Sequence, residues 1–164
     1  MERRQFLATV WKVGAGLLAA AGVWTGWEVI RPGGTDRGEG VVPTIEADAL
    51  IADDVAAVPA AASYLTRLDG EIVALSDVCT HLRCKVSFCT SSGRFECPCH
   101  GTIFNRAGDQ LSGPARRGLD RHPVSIEDGV VLVDTSVTIT GPPLGTRTID
   151  EPAKGPGCDD GDGT

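Results

Sequence analysis

From residue 41 onward, short β-prone apolar runs alternate with turn dipeptides. Tyr64-Leu65-Thr66-Arg67-Leu68 and Glu71-Ile72-Val73-Ala74-Leu75 flank Asp69-Gly70; Ile126 and Val130-Val131-Leu132-Val133 flank Asp128-Gly129. Asp-Gly between such runs is a strong hairpin signal. No long segment of period 3.6 follows residue 31, and Thr44 to Ala62 is the one stretch that accommodates a short helix. Ahead of the domain lies an uncharged apolar run, Val13 to Trp27, rich in Gly and Ala. Between the two, residues 31–40 hold four glycines and no apolar residue beyond Pro32. The pattern predicts an apolar helix within 1–31, a flexible linker over 32–40, an all-β domain of small antiparallel sheets over 41–150, and an acidic tail over 151–164.

Composition agrees with a turn-rich β protein. Twenty-one glycines and ten prolines accompany 5% aromatics in 164 residues, enough for one domain plus appendages. The formal charge of −7 leaves no basic stripe to neutralise phosphates, so nucleic acid is excluded as a partner.

Arg3-Arg4-Gln5-Phe6-Leu7 precedes the apolar run and resembles a twin-arginine export signal. The stretch from Phe6 to Ile30 is long enough for one transmembrane helix, with Lys12 and Glu28 near its ends. All three tryptophans lie here, and Trp11 and Trp27 stand roughly 24 Å apart on a helix, suiting an aromatic belt at each interface. Ala19-Ala20-Ala21 offers a cleavage site, but retention as a single-pass anchor is the expectation. Arg3, Arg4 and Lys12 keep the N-terminus inside, which places the globular domain outside a bacterial cytoplasmic membrane.

Five of the six cysteines fall between residues 79 and 99. Cys79-Thr80-His81-Leu82-Arg83-Cys84 and Cys97-Pro98-Cys99-His100-Gly101-Thr102 each offer a thiolate and an imidazole. Two Cys and two His suit one tetrahedral zinc. They suit equally a [2Fe–2S] cluster with two His in place of two Cys on one iron. Cys84 and Cys99 remain, one in each box; Cys89 and Cys158 lie outside both, free or paired with each other.

The two boxes closely resemble those of Rieske proteins of the cytochrome bc family, over roughly residues 72–135. The resemblance implies a Rieske domain with a cluster-binding subdomain and one [2Fe–2S] cluster, held by Cys79 and Cys97 on one iron and His81 and His100 on the other. It implies a Cys84–Cys99 disulfide joining the boxes, and a proline loop at Gly113-Pro114-Ala115 covering the cluster from a third side. Leu82 sits at the loop tip; Thr102 keeps the hydroxyl usually supplied by serine, while Phe104 replaces a tyrosine that donates near the cluster. Arg83 stands where glycine is usual, and Arg116 where a second proline is usual. Twin-arginine export carries folded proteins, as a cluster inserted in the cytoplasm requires.

By that resemblance the chain is an electron-transfer subunit of a quinol:cytochrome c oxidoreductase, without catalysis of its own. Its implied partners are quinol, a cytochrome b-type subunit and a c-type cytochrome or similar acceptor. The alternative is the small Rieske subunit of an arsenite-oxidase-like molybdenum enzyme. A ring-hydroxylating oxygenase needs two further His and a carboxylate for its second iron, and only His122 is left over.

Overall fold

The computed structural model describes residues 2–30, 40–51 and 54–158. The linker expected over 32–40, apart from Gly40, and residues 159–164 of the tail lie outside them. Two compact units divide the chain, one up to Asp36 and one from Arg37.

The first unit contains one helix, α1 (Arg3–Ile30). Its two threonines turn back on its own backbone: the Thr9 hydroxyl donates to the Gln5 carbonyl and the Thr25 hydroxyl to the Ala21 carbonyl. Residues 3–27 are long and apolar enough to cross a bilayer, with a mean hydropathy of 1.6 in the best window. A signal sequence satisfies the same criterion.

The second unit has three antiparallel sheets. Strands β1 (Val41–Glu46), β11 (Val130–Asp134) and β10 (Val124–Glu127) form the first, in that order. The second runs β2 (Val55–Val58), β3 (Ser63–Leu68), β4 (Glu71–Ser76), β9 (Arg121–His122), and the third β5 (Ser87–Cys89), β6 (Arg94–Glu96), β7 (Ile103–Phe104), β8 (Gln110–Ser112). Both expected hairpins form. Asp69 and Gly70 take φ +49° and +89°, Asp128 and Gly129 +49° and +82°, the paired left-handed geometry that Asp-Gly suits in a two-residue turn. Thr44 to Ala62 differs from expectation. It forms the second half of β1, all of β2 and two single-turn 3₁₀ helices, Ala47–Ala49 and Pro59–Ala61, rather than an α-helix.

The β3–β4 hairpin is the centre of the domain because both of its faces are covered. Leu65 and Ala74, opposite each other, pack with Val42, Val58, Val131 and Val133 towards the first sheet. Their neighbours Tyr64 and Leu75 face the other way and pack with Phe95, Phe104, Val86 and Leu119 of the third-sheet region. One residue of register separates the two cores, since successive strand side chains point to opposite faces.

Candidate metal centre

Two loops and a third cover meet at one end of the third sheet. The first loop, residues 79–84, joins β4 to β5; the second, residues 97–102, joins β6 to β7. Their backbones are built alike. In the first, the Cys79 amide donates to the Cys84 carbonyl (2.7 Å) and the Arg83 amide to the Cys79 carbonyl (2.9 Å). In the second, the Cys97 amide donates to the Thr102 carbonyl (2.9 Å) and the Gly101 amide to the Cys97 carbonyl (3.0 Å). The fifth residue of each loop is left-handed: Arg83 at φ +65° and Gly101 at φ +67°. A disulfide between Cys84 and Cys99, with Cα atoms 6.5 Å apart, joins the loops.

Behind the loops the environment is apolar. Cys79 and Cys97 are free thiols, buried in one cluster with Val86, Phe95, Phe104, Ala115 and Leu119. Burial pushes the Cys79 thiol pKa up. The His81 amide opposes that shift and the Cys97 thiol adds to it. At the outer end the His81 and His100 rings meet edge to face, centroids 4.7 Å apart, with His100 exposed. Leu82, next to His81 on the first loop, is 64% exposed.

The third cover is the segment from Gly113 to Gly118. A Cβ on Gly113 would stand 2.5 Å from Thr102 Cα and 2.9 Å from the Gly101 carbonyl oxygen, so this segment lies directly on the second loop. Pro114 beside it is exposed, while Ala115 is buried. Thr80 Oγ1 donates to the Arg117 carbonyl (2.9 Å), tying the first loop to the same segment.

Among the described residues, two buried polar atoms here have no hydrogen-bond partner: His81 Nδ1 and Thr102 Oγ1. Leaving a buried polar group unsatisfied costs about 1–3 kcal/mol. An unpartnered buried ring nitrogen, two buried free thiols and a buried hydroxyl without a partner are what a metal–sulfur group would satisfy. The residues present therefore fit a [2Fe–2S] cluster: Cys79, Cys97, His81 and His100 as the donor set, with Thr102 placed to donate to sulfur. Phe104 is fully buried in the thiols' own apolar cluster and brings no donor.

A second disulfide, Cys89–Cys158, was open in the sequence because nothing local connects residues 69 apart. It fastens the C-terminal segment to the β5–β6 hairpin. The Lys154 amide donates to the Ser92 carbonyl (3.0 Å), the Cys158 amide to Glu96 Oε2 (2.8 Å), and the Ser91 hydroxyl to the Pro156 carbonyl (2.9 Å). Cys89, Glu96 and Cys158 lie close enough to share a metal ion, but the disulfide occupies both sulfurs. His122 is a packing residue, its Nδ1 2.8 Å from the Val137 carbonyl oxygen. Sequence reasoning missed the shared backbone design of the two loops, although superposing the boxes from Cys79 and Cys97 already sets Arg83 opposite Gly101.

Comparison with known proteins follows the same residues. The family described as the Rieske [2Fe-2S] domain matches residues 42–123. The cytochrome b6-f complex iron-sulfur subunit of Chlorobaculum tepidum is 39% identical over 64 residues, 39% of this chain and 35% of that protein. Iron-sulfur subunit 2 of the Cyanophora paradoxa cyanelle b6-f complex is 46% identical over 77 residues, 44% of this chain and 32% of that protein. The matches thus span about a third of the length of these curated relatives. The plasma-membrane Rieske protein of Synechocystis superposes with a TM-score of 0.42 at 27% identity, over 56% of this chain and 97% of that one. That superposition is too loose to carry weight.

Proposed function

This chain belongs to the Rieske [2Fe-2S] domain family, and on that premise we propose that it is a membrane-anchored electron-transfer subunit serving a quinol-oxidising complex of the cytochrome bc type. The family implies a [2Fe–2S] cluster. In this reading Cys79 and Cys97 hold one iron, and His81 and His100 the other. The bound cluster supplies a one-electron carrier, and two neutral imidazoles in place of thiolates set its potential within about −150 to +300 mV.

The chain's own residues do the rest. Phe95, Phe104, Val86 and Leu119 exclude water from the thiol side. The Cys84–Cys99 disulfide and the four loop hydrogen bonds hold the donors in place. Exposed His100 presents a ring edge through which an electron passes to a docked partner, and to which a quinol hydroxyl can donate. Helix α1 holds the domain at the outer membrane surface, with residues 32–40 as the tether on composition alone.

The single observation that carries this reading is the pairing of two free buried cysteines with two histidines in edge contact, on twin loops joined by a disulfide. Protein purified from its native membrane is expected to carry iron and acid-labile sulfide in equal amounts, with the rhombic EPR signal of a reduced Rieske centre. Stoichiometric zinc instead would refute it. Co-purification with a di-haem cytochrome b supports the bc-type assignment; co-purification with a molybdenum subunit would move the chain to the alternative enzyme.

A further inference from the structure

The segment that carries the donor loops is rich in basic residues, although three of them pair with acids outside it: Lys85 with Asp77, Arg106 with Glu151 and Arg117 with Asp120. Residues 78–117 hold six basic residues, Arg83, Lys85, Arg94, Arg106, Arg116 and Arg117, against two acidic ones, Glu96 and Asp109. Both acids are buried, and Glu96 is taken up by Ser92 and the Cys158 amide, Asp109 by Asn105 and Thr148. The whole chain nevertheless stands at −7.

Among the described residues, two arginines at this end are exposed with no ion-pair or hydrogen-bond partner to their side chains: Arg83 on the first loop and Arg116 on the third cover. By contrast, Arg117 pairs with Asp120, and Lys85 reaches Asp77 at 3.7 Å. Arg83 is there at a cost. Its φ of +65° is a conformation that glycine adopts freely and that the twin loop gives to Gly101. A long side chain in that conformation motivates a functional hypothesis, although Ala62 at φ +45° shows that the fold accepts a non-glycine in it elsewhere.

We propose that Arg83 and Arg116 form a cationic collar around the His81–His100 tip and that its partner is a redox protein with an acidic docking face. Exposed Leu82, His100 and Pro114 give the collar a mainly apolar centre, and an apolar centre rimmed by arginine is the composition of a protein interface. Local charge, not the net charge, then steers encounter at this end. The inference rests on the electron-transfer reading above and adds the chemistry of the partner.

The test measures the affinity of the oxidised full-length holoprotein, in phosphatidylcholine nanodiscs, for an acidic and for a basic c-type cytochrome. With both partners oxidised, no electron passes and binding alone is read. The acidic cytochrome should bind more tightly, and its affinity should weaken as ionic strength rises from about 20 to about 300 mM. Arg83→Gly combined with Arg116→Gln should weaken it at least about threefold at low salt, while Arg83→Lys keeps it. Arg83→Gly should also raise the unfolding midpoint, which separates a docking role from a structural one. Glu127→Gln with Asp128→Asn, in the β10–β11 hairpin, changes net charge by the same amount with opposite sign and should leave the affinity within a factor of about two. Tighter binding of the basic cytochrome would overturn the proposal. So would equal responses to the tip and hairpin variants. If phosphatidylglycerol nanodiscs alone block phenylglyoxal modification of Arg83 and Arg116, the acidic surface they meet is lipid, and the proposal fails. Absence of the Rieske EPR signal would instead overturn the underlying reading.

Discussion

Gly113 and Gly70 make a matched pair for testing how the third cover closes the metal centre. Their φ angles are +90° and +89°, so an alanine at either position is forced to a positive φ, at a cost of about 1–2 kcal/mol. Their surroundings differ. A Cβ at Gly70 has nothing within 4 Å, whereas at Gly113 it stands 2.5 Å from Thr102 Cα, 2.9 Å from the Gly101 oxygen and 3.0 Å from the Thr102 nitrogen. All three are backbone atoms of the second loop, held by the Cys97–Thr102 and Gly101–Cys97 hydrogen bonds, and cannot swing aside as a side-chain end would. Overpacking of this kind adds about 1–3 kcal/mol. Gly70→Ala should therefore cost about 1–2 kcal/mol and Gly113→Ala about 2–5 kcal/mol in guanidinium unfolding of the holoprotein. The cheapest relief at Gly113 lifts the cover from the loop, uncovering Ala115 and Thr102, which are 2% and 0% exposed. Bleaching of the visible absorbance by an iron chelator should then accelerate in Gly113→Ala and stay at the parent rate in Gly70→Ala. Equal unfolding midpoints, or equal bleaching rates, would show that the cover does not seal the centre.

Three further outcomes follow from the same geometry. Replacing Cys89 and Cys158 by serine opens a loop of 69 residues, and the chain-entropy relation puts the loss at about 4 kcal/mol; hydrogen exchange should quicken at the Lys154 and Cys158 amides, while the EPR signal stays unchanged. Because burial raises the Cys79 thiol pKa and only the thiolate binds metal, reconstitution of the apoprotein with iron and sulfide should speed up as pH rises towards that raised pKa; a rate independent of pH would contradict it. Phe104→Tyr places a hydroxyl in the cluster of the two thiols, and a hydrogen bond to sulfur worth about 1 kcal/mol should raise the reduction potential by roughly 40 mV; redox titration finding it unchanged or lower would place residue 104 out of reach.

Those elements whose cause is local could be read along the chain. Asp69-Gly70 and Asp128-Gly129 specify their hairpins because two adjacent residues carry the whole left-handed turn. The apolar run through Trp27 specifies a helix by composition, and the boxes at Cys79 and Cys97 announce metal chemistry by spacing. Decisions that join distant residues waited for the fold. The division of β3 and β4 between two cores is invisible in a strand whose residues are nearly all buried, since continuous burial on both faces erases the alternation that marks a single buried face. The segment from Thr44 to Ala62 has a composition that fits a helix, yet pairing of β1 with β11 and of β2 with β3 overrides it. Cys89 meets Cys158 only because the C-terminal segment lies along the β5–β6 hairpin, a contact set by packing and not by spacing. Arg83 is legible as a departure from glycine, but its left-handed backbone is fixed by two hydrogen bonds closing the loop around it. Sequence names the groups and the local turns. Which of them meet is decided by long-range contacts, whose energies depend on the whole fold being formed at once.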